Sequence, residues 1–274
     1  MSIVYGSDAF SPRQIAEKIE DGGVAKARLP LLSMAMLGVL AGGFIGLGGI
    51  TSTLVLSDPG LGFAAGRLLA GLTFSLGLVL VVVAGAELFT GNNLLVMAWA
   101  DRRITTAEML RNWAVVYLAN AVGAVGLALI VWLANHGAMN GGAVALQYAK
   151  LAAAKASLPF AEAFFKGVLC NILVCLAVWI AMAGRSVADK VLAIVLPISA
   201  FVAAGFEHSV ANMFLIPAGI LMGHDAHVAV PDWAGLARNL VPVTLGNVFG
   251  GSVLVALVYF VIYRRGAEKQ AAKR

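Results

Sequence analysis

The chain has 274 residues, of which 61% are hydrophobic and only 12% are charged, with a net charge of +5, and its mean hydropathy is +0.91. A water-soluble domain carries about 25% charged residues, so this composition excludes a soluble enzyme. In so apolar a chain the basic residues act as signals of membrane topology, and no nucleic-acid partner is predicted. The expected surroundings are a lipid bilayer.

Six long apolar segments predict six membrane crossings, because a bilayer core needs about 20 apolar residues per helical crossing. The predicted spans are Leu29–Leu56, Leu68–Ala100, Asn112–Ala134, Gly167–Gly184, Val191–Gly223 and Asn239–Tyr263. The chain is therefore predicted to be an all-α integral membrane protein. Its transmembrane domain covers 29–264, after an amphipathic cytoplasmic segment at 1–28 and before a basic cytoplasmic tail at 265–274.

The distribution of lysine and arginine predicts the orientation. Six spans place both termini on one side, and cytoplasmic segments carry an excess of Lys and Arg. With the termini in the cytoplasm, 14 of the 19 Lys and Arg residues face inward. The five outward ones are Arg67, Lys150, Lys155, Lys166 and Arg238. Cytoplasmic termini are therefore predicted.

An internal repeat divides the chain into two related halves, about 29–135 and 160–264. The centres of spans 2 and 5, at 85–92 and 205–212, share the pattern G-x-E-x-x-x-x-N. Three spans per half is an odd number, so the second half is inverted, and the breaks in spans 2 and 5 are expected near the membrane midplane. The repeat-related polar residues are Glu87, Asn92 and Asn120 in the first half and Glu207, Asn212 and Asn247 in the second.

His208 is the sharpest functional candidate, because Leu88 occupies its place in the first half. A midplane imidazole can donate a hydrogen bond or a proton to an anion, and half-helix N-termini at a break also suit an anion. The alternative is a neutral histidine that packs between helices. Thr90, just past the first break, either binds the solute or caps the second half-helix.

The repeated acids and amides favour structural roles. Glu87 and Glu207 are expected to accept backbone N–H bonds at their own breaks, since acids in lipid need partners, with a proton relay as the alternative. Asn120 and Asn247 are expected to form interhelical hydrogen bonds. By position alone, Lys155 is a solvated loop lysine. No metal site or cofactor is predicted.

Four segments carry a resemblance to a known family. They are 86–91 (AELFTG), 166–177 (KGVLCNILVCLA), 205–213 (GFEHSVANM) and 239–247 (NLVPVTLGN). They resemble the formate–nitrite transporter family from about residue 10 to residue 264. This resemblance implies an aquaporin-like fold, a homopentamer with one pore per protomer, and a multi-pass location in the bacterial inner membrane.

The resemblance also implies roles for individual residues. His208 is similar to the central pore histidine and Thr90 to its partner on the first break. Phe74, Leu78 and Phe201 resemble the residues of one apolar constriction of the family, and Leu88 and Phe89 resemble residues of the other. Lys155 and Asn171 resemble residues near the outer mouth, with Val174 beside them.

The predicted function is a channel or transporter for small monovalent anions, with formate favoured. Basic residues attract the anion, and His208, oriented by Glu207 and Thr90, neutralises it with a proton or a hydrogen bond. Nitrite, hydrosulfide and short monocarboxylates such as acetate and lactate are the alternatives within the family. A neutral-solute channel is more remote, since the paired Asn-Pro-Ala breaks of aquaporins are absent. An intramembrane enzyme is disfavoured, because two residues make a poor metal or hydrolase site.

Overall fold

The structure, a computed structural model, describes residues 9–225 and 228–265 and contains only helices and loops within those ranges. The first half contains α1 (Pro12–Ala27), α2 (Leu31–Leu56), α3 (Phe63–Val79), α4 (Val96–Ala100) and α5 (Thr106–Leu133). The second half contains α6 (Ala143–Ala156), α7 (Phe160–Ala181), α8 (Val187–Ala204), α9 (Ser209–Asp225), α10 (Trp233–Val248) and α11 (Val258–Tyr263). Wider π-helical turns extend α3 over Leu80–Gly85 and join α10 to α11 over Phe249–Leu257.

Six helical segments are long and apolar enough to cross a bilayer, which confirms the predicted all-α membrane fold. They are Leu31–Leu56, Phe63–Gly85, Thr106–Leu133, Phe160–Ala181, Val187–Ala204 and Trp233–Tyr263. Spans 2 and 5 are interrupted as predicted. The first break lies between Gly85 and the 3₁₀ turn Gly91–Leu95, and the second lies between α8 and α9.

Five spans begin earlier than predicted, because a basic residue that limits each predicted span lies inside the helix. The helices start at Phe63, Thr106, Phe160, Val187 and Trp233, whereas the predicted starts are Leu68, Asn112, Gly167, Val191 and Asn239. The basic residues just before the predicted starts are Arg67, Arg111, Lys166, Lys190 and Arg238. Long basic side chains tolerate this position by extending their charged ends toward water.

Helix α6 was not predicted and lies where a loop before span 4 was expected. Its apolar face buries Tyr148, Ala149 and Ala152, next to α9. The equivalent helix in the first half is α1, which buries Ile15 and Ile19. The internal symmetry therefore extends beyond the predicted repeat limits of 29–135 and 160–264. Of the predicted tail at 265–274, only residue 265 is among the described residues.

In each half, glycine permits a close crossing between the first and third spans. In the first half, a Cβ on Gly123 of α5 would overlap the carbonyl oxygen of Val39 on α2. In the second half, a Cβ on Gly250, just after α10, would overlap that of Val168 on α7. These approaches hold the helix carrying Asn120 or Asn247 against the first span of the same half, and each asparagine bonds both that span and the break.

Candidate functional site

The first break is held open by one asparagine of α5. Asn120 Nδ2 donates to the carbonyl oxygens of Gly38 at 2.8 Å and Glu87 at 2.9 Å. Its Oδ1 accepts the N–H of Phe89 at 2.9 Å. The side chain is fully buried. A single amide thus satisfies the Glu87 carbonyl and the Phe89 N–H, which the interrupted helix leaves without intrahelical partners, and ties them to α2.

The second break has the same clamp. Asn247 Nδ2 donates to the carbonyl oxygens of Gly167 at 2.8 Å and Glu207 at 3.0 Å. Its Oδ1 accepts the N–H of Ser209 at 2.9 Å. The predicted interhelical bonding of both asparagines is present in the structure, and its purpose is to hold the two breaks.

Beside the first break lies a closed network of four polar side chains. Lys26 of α1 donates from Nζ to Glu87 Oε1 at 2.8 Å and to Asn92 Oδ1 at 3.0 Å. Asn92 Nδ2 donates to Glu87 Oε2 at 2.7 Å and to Asn112 Oδ1 at 2.9 Å. Asn112 Nδ2 returns to the carbonyl oxygen of Lys26 at 3.1 Å. The network ties α1 to the break and to α5.

The second half repeats this network on α6. Lys155 Nζ donates to Glu207 Oε1 at 2.9 Å, and Asn212 Nδ2 donates to Glu207 Oε2 at 2.6 Å. Asn212 Nδ2 also donates to Asn239 Oδ1 at 2.7 Å, and Asn239 Nδ2 returns to the carbonyl oxygen of Lys155 at 2.9 Å. The Lys155 side chain is 14% exposed, against 37% for Lys26, so the second network is drier.

These networks correct two predictions. Glu87 and Glu207 accept hydrogen bonds from lysine and asparagine side chains, so the expectation of backbone N–H partners for the carboxylates is wrong. A carboxylate in a low-dielectric interior is better compensated by an ammonium group than by amides alone. Lys155 is likewise not a solvated loop residue, since it lies in the last turn of α6 and forms this ion pair.

Thr90 and His208 meet at the seam between the two halves. Thr90 Oγ1 lies 3.0 Å from His208 Nε2, and both side chains are buried. His208 Nδ1 accepts the backbone N–H of Ala211 at 3.1 Å. Because a backbone N–H can only donate, Nδ1 carries a lone pair, and the proton of the neutral imidazole is assigned to Nε2, facing Thr90. The ring stacks on Phe201 with a centroid distance of 5.9 Å.

The Thr90–His208 pair departs from the internal symmetry. With the offset that aligns Glu87 with Glu207, the equivalents of His208 and Thr90 are Leu88 and Val210. Each half thus contributes one polar group and one apolar group to the seam. Glu207 bonds Lys155 and the asparagines rather than the histidine ring, so His208 is oriented by Thr90 and Ala211.

Two cavities approach the seam from opposite sides. The cavity on the α1 side, here called the N-side cavity, has a volume of about 510 Å³ and is lined by Lys26, Glu87 and Leu88 among others. The cavity on the α6 side, here called the loop-side cavity, has a volume of about 310 Å³ and is lined by Lys155 and His208 among others. Each network therefore borders one cavity.

Apolar side chains separate the cavities, but their grouping differs from the prediction. Phe74 and Phe201 form an edge-to-face pair at 5.6 Å and line the loop-side cavity. Leu78, one turn further along α3, lines the N-side cavity with Leu88. Leu78 therefore belongs with Leu88 rather than with the two phenylalanines.

Phe89 does not line either of these cavities, so its expected place in a constriction is wrong. Its ring packs against Tyr117 at 4.8 Å and Trp113 at 6.3 Å on α5. Consecutive residues of a non-helical segment point their side chains in different directions. With Leu88 turned toward the N-side cavity, Phe89 turns toward the aromatic rings of α5.

Asn171 and Val174 are buried rather than placed at an outer mouth. Asn171 lies near the middle of the 22-residue helix α7 and is fully buried, while Val174 is 1% exposed. Asn171 Nδ2 donates to the carbonyl oxygens of Thr90 at 3.2 Å and Asn247 at 2.7 Å. Asn171 therefore links the first break to α10. Its depth differs from the prediction because α7 begins seven residues before the predicted start.

Sequence reasoning missed Lys26, although the chain contains the signal for it. The motif K-A-x-L-P occurs at 26–30 and again at 155–159. Each copy places its lysine at the end of the helix before the first span of its half. Within the described residues, no group of three or more His, Cys, Asp or Glu side chains is arranged to hold a metal ion.

Comparison with known proteins decides the family. The profile of the family described as Formate/nitrite transporter matches residues 13–261. This chain belongs to the formate/nitrite transporter family. The Formate channel FocA of Escherichia coli K12 is 40% identical over 275 residues, covering 94% of this chain and 96% of the relative.

Solved structures agree with this membership of the formate/nitrite transporter family. A structure described as a pentameric formate channel with formate bound has a TM-score of 0.77 and 35% identity, covering 85% of this chain and 97% of that one. A second, described as an FNT family ion channel, has a TM-score of 0.80 and 33% identity, covering 91% and 98%. The match to the family profile includes both breaks and both lysine networks.

Proposed function

We propose that this protein is a channel for small monovalent anions and that formate is its favoured substrate. The names of its relatives support the class, since they include formate channels from E. coli. The observation that carries the proposal is the Thr90–His208 pair, a buried polar contact between two cavities that approach from opposite sides. This pair is a polar site among the apolar side chains that separate the two cavities.

The barrier selects against hydrated ions. A charged solute that leaves water for an apolar passage pays a large desolvation penalty unless a hydrogen bond or a proton compensates it. Phe74, Phe201, Leu78 and Leu88 provide no such compensation. The Nε2–H of His208 provides it when it turns from Thr90 Oγ1 to an oxygen of the anion. The Thr90 hydroxyl then acts as a donor or acceptor for the same solute.

The geometry favours hydrogen bonding over storage of a proton on His208. An imidazolium carries hydrogens on both nitrogens, so its Nδ1–H would point at the N–H of Ala211, which now donates to Nδ1. The ring must leave that contact before it takes up a second proton. Donation of a proton by His208 is the alternative, and it requires this rearrangement.

The lysine networks attract the anion from both cavities. Lys26 and Lys155 each place an ammonium group at the wall of a cavity, and each is held by a buried glutamate. An anion approaching either break exchanges water for the ammonium group, while the glutamate keeps the network close to neutral. The pathway therefore has similar anion-attracting steps on either side of one histidine.

We also propose a homopentamer in a bacterial inner membrane, with a pore in each protomer and both termini in the cytoplasm. The pentameric formate channel among the structural neighbours supports the assembly, and the Lys and Arg distribution supports the orientation. Leu192 and Leu196 of α8 are 72% and 76% exposed, as expected for a face that contacts lipid or a neighbouring protomer. Mass determination of the purified complex and accessibility of cysteines placed near either terminus test these two statements.

The decisive experiment measures formate and nitrite flux into sealed proteoliposomes at two pH values, for wild type and His208→Asn. We expect saturable formate flux in the wild type and a loss of at least about tenfold in the variant, equivalent to one strong hydrogen bond in the barrier. His136→Asn is the matched control, since His136 lies outside both breaks. A variant that keeps wild-type flux contradicts the role of His208.

The same assay separates the alternatives. Stronger competition by nitrite, hydrosulfide, acetate or lactate than by formate would change the favoured substrate within the class. Passage of water or glycerol without anion flux would overturn the proposal in favour of a neutral-solute channel.

A further inference from the structure

Three basic side chains line the loop-side cavity, and two of them are paired with acids. Lys155 Nζ lies 2.9 Å from Glu207 Oε1, and Lys166 Nζ lies 2.7 Å from Glu162 Oε1. Arg67 lines the same cavity but has no carboxylate partner within 4.0 Å among the side chains of residues 9–224 and 228–265. Arg67 therefore carries the positive charge that is not locally compensated by an acid.

Arg67 is held in place by the broken span. Its Nε donates to the carbonyl oxygen of Ala203 at 3.0 Å, and its Nη2 donates to that of Val202 at 2.7 Å. Both carbonyls belong to the last turn of α8, where the helix dipole is negative. These bonds use two of the five N–H groups of the guanidinium, which leaves three for another acceptor.

The position of Arg67 places those N–H groups beside the second break. Its Nη2 lies 3.0 Å from the point where a Cβ would stand on Gly205, a residue with φ of +77°. Gly205 precedes His208 by three residues. A side chain at 205 would therefore displace the guanidinium, and the glycine permits both the turn and the approach of the arginine.

The N-side cavity has no symmetric counterpart of this arginine. With the offset that aligns Glu87 with Glu207, the equivalent of Arg67 is Val187. The N-side cavity instead has Lys18, whose Nζ lies 3.2 Å from the centroid of the Phe10 ring. The two mouths thus differ in the chemistry of their unpaired cation, although their networks match.

We propose that Arg67 is the anion-capture residue of the loop-side cavity. It binds a planar oxyanion, such as a carboxylate, through its free N–H groups before the anion reaches His208. A fixed guanidinium suits two oxygens of one anion better than an ammonium does. This inference rests on the proposed function, and it adds a residue specific to one side of the membrane.

The test measures formate flux from each side separately, in proteoliposomes of known protein orientation, for wild type, Arg67→Gln and Arg67→Lys. We expect Arg67→Gln to raise the half-saturation concentration from the loop side about fivefold, as expected for loss of one charge near the entering anion. The dependence of that flux on ionic strength becomes weaker. Half-saturation from the N side stays unchanged.

Two comparison variants separate anion capture by Arg67 from its hydrogen bonding to the end of α8. Arg67→Lys keeps the charge but loses the forked geometry, so we expect it to retain the ionic-strength dependence with an intermediate half-saturation concentration. Arg238→Gln removes an exposed charge at the start of α10 on the same side, outside the lining of the cavity, and is expected to change neither quantity.

Two results overturn the inference. The first is a loss of maximal flux from both sides in Arg67→Gln that Arg67→Lys does not relieve, which means that the arginine only stabilises the break. The second is an unchanged half-saturation concentration and ionic-strength dependence in Arg67→Gln. Absence of saturable anion flux in the wild type overturns the proposed function itself, and the two failures are thereby distinguished.

Discussion

The two breaks share one scaffold and differ in the side chains that face the seam between the cavities. Asn120 and Asn247 make equivalent sets of three hydrogen bonds, and each break has its own Lys–Glu–Asn–Asn network. At the seam, the two halves differ in Leu88 against His208 and in Thr90 against Val210. Duplication explains the scaffold, whereas the proposed chemistry resides where the halves diverge.

A second difference lies in how deeply the lysines are buried. Lys26 also bonds Asn92 Oδ1, whereas Lys155 bonds Glu207 and is the less exposed of the two. The two networks therefore share their Lys–Glu, Asn–Glu and Asn–Asn bonds but differ in the bond from Lys26 to Asn92 and in solvation. Similar contacts therefore need not have similar energies.

The largest effect is expected from removing either asparagine clamp. Asn247→Ala leaves the carbonyl of Glu207 and the N–H of Ser209 without partners in a buried site and also removes the extra bond to Gly167. We expect this to lower the free energy of unfolding by about 4 kcal/mol. Asn120→Ala should do the same, because it breaks equivalent bonds. The melting temperature of the purified protein in detergent measures both.

Equal losses would establish that the two clamps are energetically equivalent. A loss in only one half would break the comparison, since it would mean that one break keeps its shape through other contacts. Thr244→Val is the control, because it removes one interhelical hydrogen bond, to Tyr117, and leaves the three bonds of each asparagine in place.

Loss of the lysines should separate the two networks. Lys155→Met leaves Glu207 buried without its cation, and we expect a destabilisation of about 3 kcal/mol. Lys26→Met should cost less, about 2 kcal/mol, because Glu87 is as buried as Glu207 but its lysine is the more exposed of the two. Thermal denaturation of both variants at one pH tests the difference, and equal losses would contradict the inferred role of solvation.

The sequence was sufficient to predict the six spans, the two breaks and the inverted repeat, because hydropathy and a repeated acid are local signals. It was also sufficient to single out His208, since that residue violates the repeat. The starts of five spans were wrong because the basic residue before each predicted start lies inside the helix, as Arg67 does in α3 and Arg111 does in α5. Local charge does not show that a basic side chain can extend beyond an apolar segment.

Long-range partners were harder to predict. The lysines that neutralise Glu87 and Glu207 come from helices 61 and 52 residues away in the chain, so composition around the acids did not reveal them. The orientation of Phe89 and the depth of Asn171 likewise depend on packing between helices. Only the repeated K-A-x-L-P motif connected the two lysines at the level of sequence.

A smaller effect is expected at the seam itself. Thr90→Val preserves shape but removes the hydroxyl that faces His208, and we expect formate flux to fall about tenfold, equivalent to about 1.4 kcal/mol. Thr90→Ser should keep most of the flux, because the hydroxyl remains. Flux in proteoliposomes tests both variants. Equal loss in the serine variant would assign the threonine a packing role.

The smallest effect concerns α1, which forms one wall of the N-side cavity. Glu20 is fully buried, with Arg264 Nε at 2.8 Å and Arg103 Nη1 at 3.9 Å. Burial raises the pKa of Glu20 from 4.5 to about 7, assisted by Asp101 and opposed by the two arginines.

Because the docked carboxyl holds its proton more tightly than a detached one, docking of α1 is strongest below pH 4.5 and weakens as the pH rises to about 7. We therefore expect trypsin to cleave within α1 a few times faster at pH 8 than at pH 6, relative to Glu20→Gln at the same pH, which corrects for the pH dependence of trypsin. A ratio that does not change with pH would show that Glu20 keeps the same protonation state when α1 detaches. Helix α1 would then differ from α6 in the exposure of its lysine but not in its response to pH.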